Sequence, residues 1–406
     1  MSTGTFTTAQ LTQDLAAKSF AGMITRLMPN GSAPLFGMTA MLPTDTAVAV
    51  EHGFFTKTML FPSLTLSASA LSTDTTLTVQ STANVLPGMI LQVSSSNENV
   101  IINSVVSGTQ VTVTRGVGSV AAAAIGSGVV ANQIGNAYEE GSVRPNSLII
   151  NPVRITNYTQ IFRNTWAITD TIRATMMIAG ESNEAESRQD CAGFHAADIE
   201  KALFFGQKSQ GTRNGMPFRT MDGLINIVNN LSYYPASYAA PNVSTAGATT
   251  NYSQLENMLD PMFNQTTDPK VANERVLFVG GTAKKTINKI GQLNGTYMMV
   301  DGATSYGLQF STFKTSRGTF RLIEHPLFNT NATWSKMAVG VDLSSFRMAY
   351  LGDRKTQNKE FNMDGNEAND NGIDAVGGTL TTEVTCVVKN PPANSVVYNL
   401  TAGAQG

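Results

Sequence analysis

Charge is what this sequence has least of. Only 14% of its 406 residues are Asp, Glu, Lys or Arg, against roughly 25% in an average soluble protein. Ser, Thr, Asn and Gly take their place. Such a chain either carries an unusually neutral polar surface or hides much of its surface against partners, because charge is depleted in the cores of stable interfaces. Its basic residues run no longer than pairs, such as Lys284-Lys285 and Arg354-Lys355, and the net charge is −2. A tight or sequence-specific DNA binder needs a basic stripe, so contact with nucleic acid is expected to be weak and indirect. Cysteine is scarce too. Cys191 and Cys386 stand far apart, which excludes zinc-ligand spacing and a disulfide framework and predicts two free buried thiols. No signal peptide is expected, since the first cation is Lys18 and no apolar run follows Met1. No apolar run is long enough to span a bilayer. A protein made and kept in a cytosol is expected.

The length predicts two or three domains, and 42% hydrophobic residues allow a large core. Residues 1–31 begin polar and then read as a helix, with Thr12 as N-cap, Leu15, Met23 and Leu27 on one face, and Pro29-Asn30-Gly31 as the stop. Pro34 and Pro43 break the apolar stretch Leu35-Phe36-Gly37-Met38, which reads as an arm with no partner elements beside it. Residues 62–136 are rich in Ser, Thr, Val and Gly and nearly free of charge and aromatics. Thr76-Leu77-Thr78-Val79 and Gln110–Thr114 alternate, and Pro87-Gly88 and Ser107-Gly108 signal turns. This predicts a small separate all-β module, flanked by extended legs at 46–61 and 137–168. Pro152 keeps the second leg from being a central strand.

Next comes a helix. Asn183 and Glu186 have capping-box spacing, and Cys191, Ala192, His195, Ile199 and Leu203 recur every 3–4 residues up to Gly206. Arg188, Asp190, Asp198 and Lys201 mark its polar face. Mixed α/β follows: a helix at Leu255–Met262, a buried strand at Val276–Val279, a helix from Thr282 to Ile290 and a hairpin from Leu308 to His325 turning at Ser316-Arg317-Gly318. Phe346–Leu351 and Thr379–Val388 read as late strands, and the polar Lys355–Gly378 as a mobile loop.

No catalytic constellation is complete. Gly280-Gly281-Thr282-Ala283-Lys284-Lys285-Thr286 follows a strand and opens a helix, but a phosphate-binding loop needs Gly directly before the Lys. Gly180-Glu181-Ser182-Asn183-Glu184 lacks the closing Gly of a nucleophile elbow, and Ser182 is better read as a helix cap. His52, His195 and His325 are scattered. Asp364 to Asp374 has Ala368 where a calcium loop needs an oxygen ligand and lacks its final Glu. Glu139 and Glu140 point apart in an extended chain. The sequence is read as no enzyme, with no cofactor and no metal.

The order of elements resembles the Hong Kong-97-type fold of tailed-phage major capsid proteins, narrowed to the family with a β-rich insertion in the E-loop. Met28-Pro29 with Ala33-Pro34-Leu35, Leu86-Pro87-Gly88, Val111-Thr112-Val113-Thr114-Arg115-Gly116, Asn157-Tyr158-Thr159-Gln160-Ile161-Phe162, Glu184 to Gly206, Gly352-Asp353 and Glu383-Val384-Thr385 carry the resemblance. It departs at Asp222-Gly223-Leu224, where the family tends to have a second Gly. The resemblance implies an α+β fold with an inserted small all-β domain. Its divisions are 1–45 N-terminal arm, 46–61 E-loop first leg, 62–136 inserted domain, 137–168 E-loop second leg, 169–214 P-domain with spine helix, 215–343 A-domain, 344–387 P-domain late strands and 388–406 A-domain end and tail. It further implies an icosahedral head subunit that forms hexamers and pentamers around packaged double-stranded DNA, located in the virion and assembled in the host cytoplasm. Implied partners are its own copies, a separate scaffolding protein, a portal and a decoration protein, with weak non-specific DNA contact and no membrane. Lys–Asn crosslinks between subunits, known in some relatives, find no matching residues and are not expected. Tyr158, Ile161, Phe162, Leu35 and Phe36 are the expected intersubunit contacts. The rival readings are another virion component, of tail or decoration type, and a Thr/Ser-rich surface β protein.

Overall fold

The computed structural model describes residues 33–57, 62–148, 152–175, 182–235, 238, 240–247, 250–266, 273–293, 311–362 and 374–401. The helix expected before Pro29 and most of the Asp364–Asp374 segment lie outside them. The chain divides into two compact units, Met1–Phe54 with Arg154–Gly406, and Phe55–Val153.

The first unit contains two main sheets. In one, the long strand Ala375–Val388 pairs on one side with Gln160–Thr169, from Gln160↔Val384 to Thr169↔Ala375. On its other side it pairs with Gln357–Asn362 and then Phe346–Leu351; Asp45–Ala47 adds to the last in parallel. Gln160–Thr169 is thus an edge strand among the described residues, and Val153–Tyr158 pairs only with Glu51–Thr56. The strand Gln357–Asn362 and the start of Ala375–Val388 correct the two ends of the mobile loop expected over Lys355–Gly378, whose residues 363–373 lie outside the described ones. The residues of Gln357–Asn362 are too polar to announce a strand, and the unpaired flank of Ala375–Val388 supplies the ladder.

The helix Asn183–Phe205 lies against this sheet, with His195 Nε2 2.7 Å from Thr382 Oγ1 and Nδ1 2.7 Å from Asn164 Oδ1. Its cap is Ser182, whose hydroxyl accepts from Ala185 N at 3.1 Å. Asn183 is already helical, so the capping-box spacing read at Asn183 and Glu186 is offset by one residue. Cys191, His195, Ile199, Glu200, Leu203 and Phe204 are buried, whereas Ala192 is exposed.

The second sheet is mixed, in the order Val243–Thr245, Ser395–Tyr398, Ala338–Val341, Glu274–Val279, Thr319–Glu324, Ser311–Lys314. Glu274–Val279 is central and buried, and its alternation feeds two cores. Leu277 and Val279 pack with Leu255, Leu259, Ala283 and Ile287 from the helices Tyr252–Leu259 and Gly281–Leu293. Val276 and Phe278 join Leu203, Phe204, Leu224 and Ile227 in the largest core.

Among its described residues, the second unit has a sheet of six antiparallel strands, ordered Ser63–Thr65, Val130–Asn136, Met89–Val93, Asn99–Ser107, Gln110–Thr114, Thr76–Thr78. A bridge between Leu66 and Val79 links the chain just after the first strand to the chain just after the last, so the sheet curls round and its two edges meet there. Leu64, Leu77, Leu91, Val100, Val111 and Val113 fill it. Its buried charge is paired: Arg115 makes two hydrogen bonds to Glu98, at 2.7 and 2.8 Å. Glu98 also accepts from Gly116 N and Ala123 N at 2.9 and 3.2 Å. Every carboxylate oxygen is therefore satisfied, the condition under which a buried pair is tolerated.

Candidate assembly surface

Pro34 does not break the stretch it begins. It occupies the first turn of the helix Pro34–Met41, where its fixed φ fits and its missing N–H is not needed. The cap residue, Ala33, has no side chain to offer. Glu200 of the long helix replaces it, accepting from Leu35 N at 2.9 Å and Phe36 N at 2.7 Å. His325 Nε2 lies 2.8 Å from the same carboxylate, stacked on Phe328 at 4.5 Å between ring centroids. An anion at a helix N-terminus satisfies free amides and complements the helix dipole. Leu35 is fully buried in the main core and Phe36 packs against it.

The second extended leg is anchored by Asn157. Its Oδ1 accepts from Asp222 N at 2.7 Å, and its Nδ2 donates to Asp222 O at 2.9 Å and Cys386 O at 3.0 Å. Thr159 donates to the buried Glu383 at 2.9 Å, and Arg354 and Arg219 approach that carboxylate at 2.9 and 3.8 Å. Tyr158 is half-buried under Lys208, whose Nζ is 4.6 Å from the ring centre. Phe162 is 7% exposed and belongs to the main core. Ile161, on the opposite face of the strand, is 45% exposed and borders an open groove of about 460 Å³ with Asp198, Lys201 and Phe205.

The five expected contact residues therefore separate. Leu35 and Phe162 are buried within their own chain, contrary to the expectation that they are intersubunit contacts. Phe36 and Tyr158 are partly covered, and Ile161 is free. The structure adds residues not singled out from the sequence. Val48 is 97% exposed, Val143 89% and Met216 71%. Every residue from Asn136 to Leu148 is exposed. Met216 lies on a hairpin, Ser209–Arg213 with Met216–Thr220, that turns at Asn214 and Gly215, both at positive φ (52° and 74°). Asn-Gly is a strong signal for such a turn, and it was there to be read.

The chemistry-like motifs are occupied by structure. At the Gly280-Gly281 turn, Asn329 Oδ1 accepts from Gly281 N at 2.6 Å, Lys284 pairs with Glu324 at 3.2 Å, and a side chain at Gly280 would strike the Ser335 backbone. Burial holds His195 below its ordinary value, opposed by Asp198, and pushes the Cys386 thiol far above its own. Cys191 and Cys386 are free and buried. Among the described residues, no three His, Cys, Asp or Glu side chains gather as a metal site would need.

The model of the SU10 major capsid protein family matches residues 1–401. The chain is 38% identical, over 98% of its length and 96% of the relative's, to the major capsid protein of Pseudomonas phage PaMx41. Solved structures resembling it include the capsid of a native GTA particle (TM-score 0.48, 9% identity, 96% and 97% coverage) and a chain from Mycobacterium phage Cain (TM-score 0.47, 10% identity, 97% and 98% coverage).

Proposed function

From the premise that the chain belongs to the SU10 major capsid protein family, and so is a structural component of the phage virion, we propose how it builds the head. The subunit has a Hong Kong-97-like fold in which 62–136 is a domain inserted into the E-loop. It closes into hexamers and pentamers through heterologous contacts and encloses double-stranded DNA in an icosahedral shell. A separate scaffolding protein, a portal and a decoration protein are its further partners, and assembly takes place in the host cytoplasm. It catalyses nothing.

One observation carries this reading: the stretch Asn136–Leu148, exposed at every residue, leads to a leg, Val153–Tyr158, that among the described residues pairs only with Glu51–Thr56. A two-stranded ribbon is marginal in water by itself, and obligate assemblies supply such elements with interfaces above about 2,000 Å². Ile161 is the contact residue retained from the sequence. The test is electron microscopy of the expressed chain, alone and with the phage scaffold. Rings, shells or tubes are expected. A chain that stays monomeric at high concentration under both conditions overturns the proposal.

A further inference from the structure

The hairpin Ser209–Thr220 has two unlike faces. Cross-strand partners share a face, so the register Gly211↔Phe218 and Arg213↔Met216 puts Arg213, Met216 and Phe218 together. Arg219, paired with Gln210, is on the other face, and its guanidinium reaches inward to Glu383 at 3.8 Å. The face away from Glu383 is thus apolar with one cation. Met216 is 71% and Phe218 42% exposed, the Phe218 ring lies over Gly211, where no side chain competes, and Arg213 is exposed. The hairpin carries no acid.

The exposed stretch after the β module has the complementary character. Ser142 N donates to Glu139 O at 3.1 Å, and Gly141, at φ 75°, takes the third position of the turn, where a positive φ favours glycine. The turn therefore holds Glu139 and Glu140 in a defined, solvent-facing place, followed by Val143 at 89% exposure. Neither acid has an ion-pair partner among the described residues. Arg144, the one cation of this stretch, comes after Val143.

We propose that the acidic turn Glu139–Ser142 with Val143 of one copy docks on the Arg213, Met216 and Phe218 face of the hairpin in a second copy. Acid meets base and apolar meets apolar, and both elements are ordered before they meet, which lowers the cost of association. The proposal rests on the capsid reading and states where the exposed leg is received.

The two native cysteines are buried, so an introduced pair can be read cleanly. Val143→Cys with Met216→Cys in one chain, oxidised in assembled shells, is expected to give a ladder of covalent multimers that neither single variant gives. Shells that form without a ladder overturn the proposal. So does a disulfide closed within one chain, seen as a monomer of altered mobility. In a second arm, Arg213→Glu lowers shell yield by about tenfold or more, and adding Glu139→Arg with Glu140→Arg restores it. Normal yield from Arg213→Glu, or absence of rescue, counts against the pairing. If the unsubstituted chain forms no shells, the capsid reading fails first, and the two failures are told apart.

Discussion

Leu35 and Glu200 stand 165 positions apart, yet the Glu200 carboxylate caps the helix that Leu35 helps to start, 2.9 Å from its amide. The same carboxylate receives Phe36 N and His325 Nε2. One buried side chain thus ties the arm helix to the long helix and to His325, the residue just after the strand Thr319–Glu324.

Removing that carboxylate should loosen the arm first. Glu200→Ala strips a cap and leaves buried donors without an acceptor, at a cost of roughly 2–4 kcal/mol. Glu200→Gln keeps one acceptor oxygen and should lose less. Thermal melts rank the variants, and limited proteolysis shows whether the chain before Pro34 becomes more accessible. An Ala variant that melts and digests like the parent rules out the cap.

Ile161 and Phe162 are neighbours with opposite fates. Phe162→Ala empties a core site, so it should destabilise the subunit by about 3–5 kcal/mol. Ile161→Asn changes an exposed position without adding charge opposite Glu383, and should leave the melt within about 0.5 kcal/mol while impairing shell formation. Circular dichroism and microscopy on each single variant separate the two. A soluble, normally melting Phe162→Ala that fails only in assembly would place that residue at an interface instead.

The β unit should lose stability in acid through one carboxyl. Burial by itself would raise the Glu98 carboxyl, but the Arg115 guanidinium and the Ala123 and Gly116 amides outweigh it and hold the group below its ordinary value. A carboxyl depressed on folding gives stability that is present above its unfolded value, near about 4.3, and is lost as pH falls through the folded one. Glu98→Gln should flatten that dependence, and Arg115→Ala, which strands a buried carboxylate, should cost about 3–5 kcal/mol. Both tryptophans, Trp166 and Trp334, lie outside Phe55–Val153. In an acid titration, Glu98→Gln should therefore shift the transition seen by circular dichroism while leaving that seen by tryptophan fluorescence in place. A circular-dichroism transition that Glu98→Gln leaves unmoved would refute the assignment.

Residues 63–135 should be replaceable by a short Gly-Ser linker, because loop closure depends only weakly on length. The fluorescence-detected melt of the remaining unit should keep its midpoint and cooperativity. A broadened or absent transition would show that the two units fold as one.

Short-range signals in the sequence were read correctly where neighbours decide the outcome. Phe346–Leu351 and Gln110–Thr114 are strands with the expected ends, and Gly206 ends the long helix. Period and turn chemistry depend on residues a few positions away, so a local reading reaches them. The Asn214-Gly215 hairpin was equally legible, but Ser209–Arg213 has too little β-branched character to announce a strand beside it.

Burial is different, because it is decided by residues distant in the chain. Alternation in Gln160–Thr169 says that Ile161 and Phe162 face opposite ways. Which face is covered follows only once Ala375–Val388 pairs along it and the long helix lies down on the sheet. Glu200 sits between Ile199 and Leu203 and looks like an acid out of place on an apolar stripe; Leu35, Phe36 and His325, brought from far along the chain, give it a reason to be there. Sequence alone determined the element order, the neutral composition and the family resemblance, since these need only residue identity and local spacing. Tertiary structure alone decided which apolar residues are core and which remain free to meet another subunit, because a side chain's exposure is set by every segment that packs over it.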